Sequence, residues 1–277
     1  MLTDPILTAT QAAQPASRLL LGLWLMLTSA HWLVAAPLFA ANGLLPGARL
    51  GRVRSAPWLM AARRGVSVGV WRALFAGQMA MGLALACGVG GDMLLACLAL
   101  AIMLFAISLI LTGNHWAGGA DKIVMIAMTG TFLSALGLRL GDPALALAGL
   151  LWSGGQLALC YAVAGFSKLR DPRWRNGEAI AAILSTGAWG HPFAARLMRH
   201  PAMRLAASWA VILLEALFPL GFLVPWPGLA LALAGMLAFH VATAIVMGLN
   251  RFPWAFACAY PAALALGQLV GAAPVGP

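Results

Sequence analysis

Charge is what this sequence has least of. Only 17 basic and 7 acidic side chains are spread over 277 residues, 9% of the chain, where soluble domains carry about 25%. With 62% hydrophobic residues and a mean hydropathy of +0.92, that deficit excludes a soluble globular protein. The chain has no C-x-x-C pair: Cys87, Cys97, Cys160 and Cys258 each fall within an apolar run. This argues against a dithiol redox centre or a zinc site and leaves small packing residues, so no metal is expected. No basic stretch opens the chain, so residues 1–17 are expected to be a short polar segment and not a cleaved signal peptide. No run is left for a separate soluble domain, and the whole of 1–277 is expected to be one membrane domain. The basic residues sit in loops between apolar runs and not on one continuous face, which excludes nucleic acid as a partner.

Apolar runs take the place of what is missing. A hydrocarbon layer of about 30 Å needs about 20 mostly apolar residues per helix. Runs of that kind are expected at 19–41, 68–87, 93–112, 123–138, 144–165, 205–223, 229–248 and 252–272. Gly and Pro separate several of them, as in G-V-G-G-D at 88–92, R-L-G-D-P at 139–143 and V-P-W-P-G at 224–228. The expected fold class is therefore all-α: a polytopic integral membrane bundle of about eight helices. Between Gly177 and Gly190 the chain is apolar but too short to span, and a re-entrant or interfacial helix is expected there.

With eight spans, most of the 17 basic residues fall on one side, in the loops that carry Arg49 to Arg64, Lys122, Lys168 to Arg204, and Arg251. The positive-inside rule places that side in the cytoplasm. Within or at the ends of the spans, four ionisable residues need a reason, because charge at membrane depth costs about 2.5–3.5 kcal/mol on insertion scales. Lys168 closes the fifth span and can either snorkel to the headgroups or act chemically. His115 follows the third span and His240 lies in the seventh; each can be a hydrogen-bonded structural group or a ligand to substrate. Glu215 lies too deep in the sixth span to snorkel, so it needs a partner or a proton. Lys168, His115 and His240 all lie toward the side of the basic loops. Desolvation disfavours a charged amine, which can turn a lysine at the lip of an apolar cavity into a general base.

The segment Y-A-V-A-G-F-S-K-L (161–169), followed by W-R-N-G-E-A-I (174–180), resembles the Y-x-x-A-G-x-x-K-L and W-x-x-G pattern of the vitamin K-dependent gamma-carboxylase membrane domain, the horizontally transferred transmembrane (HTTM) domain. A-N-G-L-L-P-G at 41–47, G-N-H-W at 113–116, E-A-L-F-P at 215–219 and the stretch from Phe239 to Trp254 resemble further landmarks of that family in the same order. The resemblance implies that Lys168 is the base toward a reduced quinone, vitamin K hydroquinone or a menaquinol-like molecule, with His115 and His240 beside it as catalytic groups. It also implies substrate-binding roles for Asn114, Gly165, Trp174, Glu215 and Asn250, with O2 and CO2 as co-reactants. The animal carboxylase carries a large soluble region after its helices, whereas this sequence ends at Pro277. Similarity to sporulation-delaying toxin maturation proteins and to lipase maturation factors points to a secreted peptide, or an accessory soluble protein, as partner.

The expectation is thus a quinol-dependent enzyme of a bacterial inner membrane that modifies a secreted peptide. A non-enzymatic maturation or assembly factor is the alternative, and a transporter the weaker one, since no inverted repeat is visible. The family's outward-facing chemistry opposes the orientation that the basic loops imply.

Overall fold

The first helix starts well before the apolar residues do. Asp4 accepts hydrogen bonds from the Ile6 and Leu7 amides at 2.8 and 3.3 Å, and Pro5 takes the first helical position, so the end is capped by side chain and ring together. Helix α1 therefore runs Pro5–Ala35 and continues as a 3-10 turn, Ala36–Phe39. The polar segment expected at 1–17 is thus mostly helical. Of the span expected at 19–41, residues 19–39 are the latter part of a longer helix and 40–41 lie outside the described residues; a hydropathy reading sees apolar length and not a cap.

The computed structural model describes residues 4–39, 66–112, 118–224 and 227–272. Among these residues there are helices and no β-strand, and eight segments are long and apolar enough to cross a membrane. The protein is an all-α, multi-pass membrane protein. In a bilayer a spanning segment must satisfy its own backbone, and an α-helix does so within one segment. The chain divides into two compact units, Met1–Gly149 and Leu150–Pro277.

In the first unit α1 packs with α2 (Val68–Ala86), α3 (Gly91–Leu111) and α4 (Gly119–Leu140), and α5 (Pro143–Leu150) begins the fifth span. Small residues set these approaches. A Cβ on Gly22 would overlap the backbone of Gly82 and Ala86, and one on Gly137 would overlap Ala146. At one end Phe39 stacks on Trp71, ring centroids 4.4 Å apart.

The second unit starts inside the fifth span, which runs Pro143–Arg170 and contains a π-helical turn, Leu151–Gly155. Beyond it lie α6 (Gln156–Arg170), the short α7 (Pro172–Arg175), α8 (Glu178–Leu184) and α9 (Pro192–Leu197). The spans α10 (Pro201–Leu217) and α11 (Gly228–Met247) follow, and then the last span, built from α12 (Phe252–Ala257) and α13 (Tyr260–Ala272). The helix expected over 177–190 is only the seven-residue α8. It stops where the hydroxyls of Ser185 and Thr186 donate to the Ala181 and Ile183 carbonyls at 2.7 and 2.8 Å, closing the last turn locally.

Candidate functional site

Tyr161, Gly165 and Lys168 are spaced i, i+4, i+7 and lie on one face of α6. That face packs against α10. Gly165 sets the distance: a Cβ there would overlap the Ala216 backbone, so glycine alone allows the two helices to meet this closely. The approach brings Glu215, next to Ala216, to Lys168, with Nζ to Oε2 at 2.5 Å. The side chains of this ion pair are 18% and 8% exposed. Lys168 Nζ also donates to the Ala164 carbonyl at 3.4 Å and lies 5.2 Å from the Trp174 ring centroid, a cation–π contact. The deep carboxylate thus takes its donor from another helix.

Trp174 is held from two directions. Ser208 Oγ donates to its carbonyl, and the Trp209 indole N–H donates to the next carbonyl, Arg175, at 3.1 Å. Gly177 then turns the chain into α8 at φ +79°, with the Arg204 backbone where a side chain would project. A positive φ and a blocked Cβ both require glycine. The W-x-x-G spacing in this chain is therefore a clamp that keeps the indole against Lys168.

Two turns back along α6, about 10 Å, the Tyr161 hydroxyl lies 2.8 Å from His240 Nε2 on α11. Aromatic rings enclose the pair. Phe218 meets Tyr161 edge-on at 4.7 Å between centroids, and Phe256 lies 5.4 Å from Tyr161 and 4.1 Å from His240. His240 is 3% exposed, and its Nδ1 has no hydrogen-bond partner in the protein. That nitrogen is a spare donor if the phenol donates to Nε2, and a spare acceptor if Nε2 donates to the phenol. The buried Tyr260 hydroxyl lies close to that of Tyr161 and belongs to the same polar group.

Of the residues singled out in the sequence, Lys168, Glu215, Gly165 and Trp174 come together, and His240 joins the same face of α6 through Tyr161. Asn250 is exposed in the turn between α11 and α12 and belongs to neither pair. Asn114 and His115 lie outside the described residues. Sequence reasoning passed over Tyr161 and Tyr260. The signal was present: they are the only two tyrosines in the chain, and Tyr161 stands on Lys168's helical face. Among the described residues no three His, Cys, Asp or Glu side chains gather as metal ligands.

Chemically, the arrangement offers an amine and a carboxylate that can share a proton out of water, and an imidazole whose free nitrogen is oriented by a phenol. No family model, curated protein or solved structure matches the chain.

Proposed function

We propose that the chain is a membrane enzyme of the vitamin K-dependent carboxylase-like (HTTM) superfamily that binds a quinol, with Lys168 as the base that takes the quinol's hydroxyl proton. The observation that carries this reading is the secluded Lys168–Glu215 pair, an amine and a carboxylate in contact among helices that otherwise bury few charges. The chemistry of the groups nearby matches a quinol. Its flat ring suits the surfaces of Phe218, Phe252 and Phe256, and with one hydroxyl turned to Lys168 its other hydroxyl suits the unpartnered His240 Nδ1. When bound, a quinol supplies a dissociable hydroxyl and two reducing equivalents.

Lys168 becomes a base by passing its own proton to Glu215 along their hydrogen bond, leaving a neutral amine beside a neutral acid. A neutral pair costs less to hold out of water than two charges. The amine then takes the substrate proton and becomes an ammonium again, its charge facing the Trp174 ring. Tyr161 holds the ring orientation of His240, and Nδ1 serves the substrate as donor when the phenol donates to Nε2 and as acceptor when Nε2 donates to the phenol. A bacterial inner membrane, a secreted peptide as the final acceptor of modification, and O2 and CO2 as co-reactants complete the reading.

The test uses the full chain in lipid nanodiscs. Tryptophan quenching reports binding of vitamin K hydroquinone or menaquinol under anaerobic conditions, and oxygen uptake reports turnover in air. Lys168→Ala should lower uptake about a hundredfold or more, the usual contribution of a positioned base. Lys168→Arg should fail equally, because a guanidinium cannot serve as a base. Full turnover in Lys168→Arg would overturn the role of Lys168, and absence of quinol binding to the wild type would overturn the substrate class.

A further inference from the structure

Within the first unit, a cleft of about 400 Å³ opens where the start of α1 meets the N-terminus of α3 and the end of α4. It is independent of the groups discussed above. Its rim carries Arg139, which pairs with Asp92 at 2.8 Å; the side chains of that pair are 55% and 78% exposed, which marks a water-facing level. Its inner wall carries Leu94 and Leu138. The cleft therefore runs from charged to apolar, as an amphiphile does.

Three features of the cleft call for an anion that also carries a hydrogen-bond donor. First, Asp92 and Arg139 cancel each other, so Arg18 leaves a surplus positive charge. The Nη1 of Arg18 is used on the Gly88 and Val89 carbonyls at 3.3 and 2.6 Å, but its Nε is buried without a partner in the protein. Second, the 21-residue α3 has Gly90 as its N-cap residue and no side-chain cap, so the positive end of its dipole and its first amides stand at the cleft wall. Third, Gln14, one turn before Arg18 on the same face of α1 and only 8% exposed, has its Oε1 buried with no partner. A buried acceptor left without a donor costs about 1–3 kcal/mol. It is the feature that separates a ligand site from a bare helix end.

We infer that this cleft binds the headgroup of an anionic phospholipid bearing a free hydroxyl. A turn of the Arg18 and Gln14 side chains brings their buried Nε and Oε1 to the cleft surface, where the phosphodiester oxygens accept from Arg18 Nε and the α3 amides, the headgroup hydroxyl donates to Gln14 Oε1, and the first acyl carbons lie along Leu94 and Leu138. A zwitterionic lipid without a donor satisfies neither the charge nor the amide. Inorganic phosphate satisfies the charge but has no use for the apolar wall.

The experiment takes the full chain in detergent and follows thermal unfolding by tryptophan fluorescence, with lipid retention by native mass spectrometry. The probes are phosphatidylglycerol, phosphatidylcholine and inorganic phosphate. Phosphatidylglycerol alone should be retained and should raise the midpoint in a concentration-dependent way. Gln14→Met, which keeps length and removes the amide, should weaken that effect about 5–10-fold. Its lipid-free midpoint should not fall, because no existing hydrogen bond is lost. Equal stabilisation by phosphatidylcholine, or by inorganic phosphate, overturns the proposal. So does an unchanged response to phosphatidylglycerol in Gln14→Met. If that variant does not fold, the three-probe comparison on the wild type decides alone.

Discussion

The two units bury polar side chains in different ways. In the first, the hydroxyls of Thr10, Thr112 and Thr131 donate to carbonyls one turn earlier in their own helices, at 2.7, 2.9 and 2.7 Å. Gln78 and Ser134 depart from that habit and donate to the Leu104 and Ala146 carbonyls of neighbouring helices at 3.2 and 3.4 Å. In the second, Lys168 meets Glu215 and Tyr161 meets His240, each partner on a different helix. A hydroxyl bonded within its own helix would be satisfied even if that helix stood alone. A buried carboxylate or imidazole is satisfied only when another helix arrives. Small residues at close helix approaches are common to both units, so packing alone does not separate a scaffold from a site; what marks the second unit is the pairing of ionisable and phenolic groups across helices.

The sharpest way to break this contrast is Glu215→Leu. It leaves the Lys168 ammonium secluded and unpaired, and loss of about 3 kcal/mol or more is expected in reversible unfolding of the full chain in detergent. Glu215→Gln keeps an acceptor and should cost less. Replacing both partners, Lys168→Met with Glu215→Leu, should recover part of the loss, because no lone charge remains. Equal stability of Glu215→Leu and wild type would mean that the pair is not secluded.

Next in size is a pair of changes that should treat the units alike. Gly82→Ala in the first and Gly165→Ala in the second each push a methyl into facing backbone, and each should cost about 1–3 kcal/mol in the same assay. Gly155→Ala, with nothing within 4 Å of the added carbon, is the control and should not destabilise. A loss confined to Gly165→Ala would show that the first unit is held by something other than close helix contact.

The smallest effect belongs to Thr131→Val. It removes only a hydroxyl bonded within its own turn and should change stability by less than about 0.5 kcal/mol. A change as large as that of Glu215→Leu would erase the distinction between the units.

The Tyr161-to-Gly177 segment illustrates how much of the site was legible. Its spacing places Tyr161, Gly165 and Lys168 on one face, since helical periodicity is a property of the chain itself. The depth of Glu215 requires a partner because an unpaired carboxylate among apolar helices is too costly. Neither argument says that the partner is Lys168, which lies 47 residues away. The role of Tyr161 was hidden for the same reason: its hydroxyl bonds to a residue 79 positions on. At the N-terminus the signal was local and still passed over, because Asp4 and Pro5 announce a helix that hydropathy does not register.

By itself, then, the amino-acid sequence determined an all-α membrane protein of eight spans, though not where the first of them starts, because a hydrocarbon layer accepts only segments that satisfy their own backbone and supply enough apolar length. It also determined which few ionisable residues had to be explained. Tertiary structure alone decided their partners. Which helix faces which depends on where a missing Cβ, as at Gly165, permits close approach, and the hydrogen bonds of Lys168, Glu215, Tyr161 and His240 exist only after that approach is made.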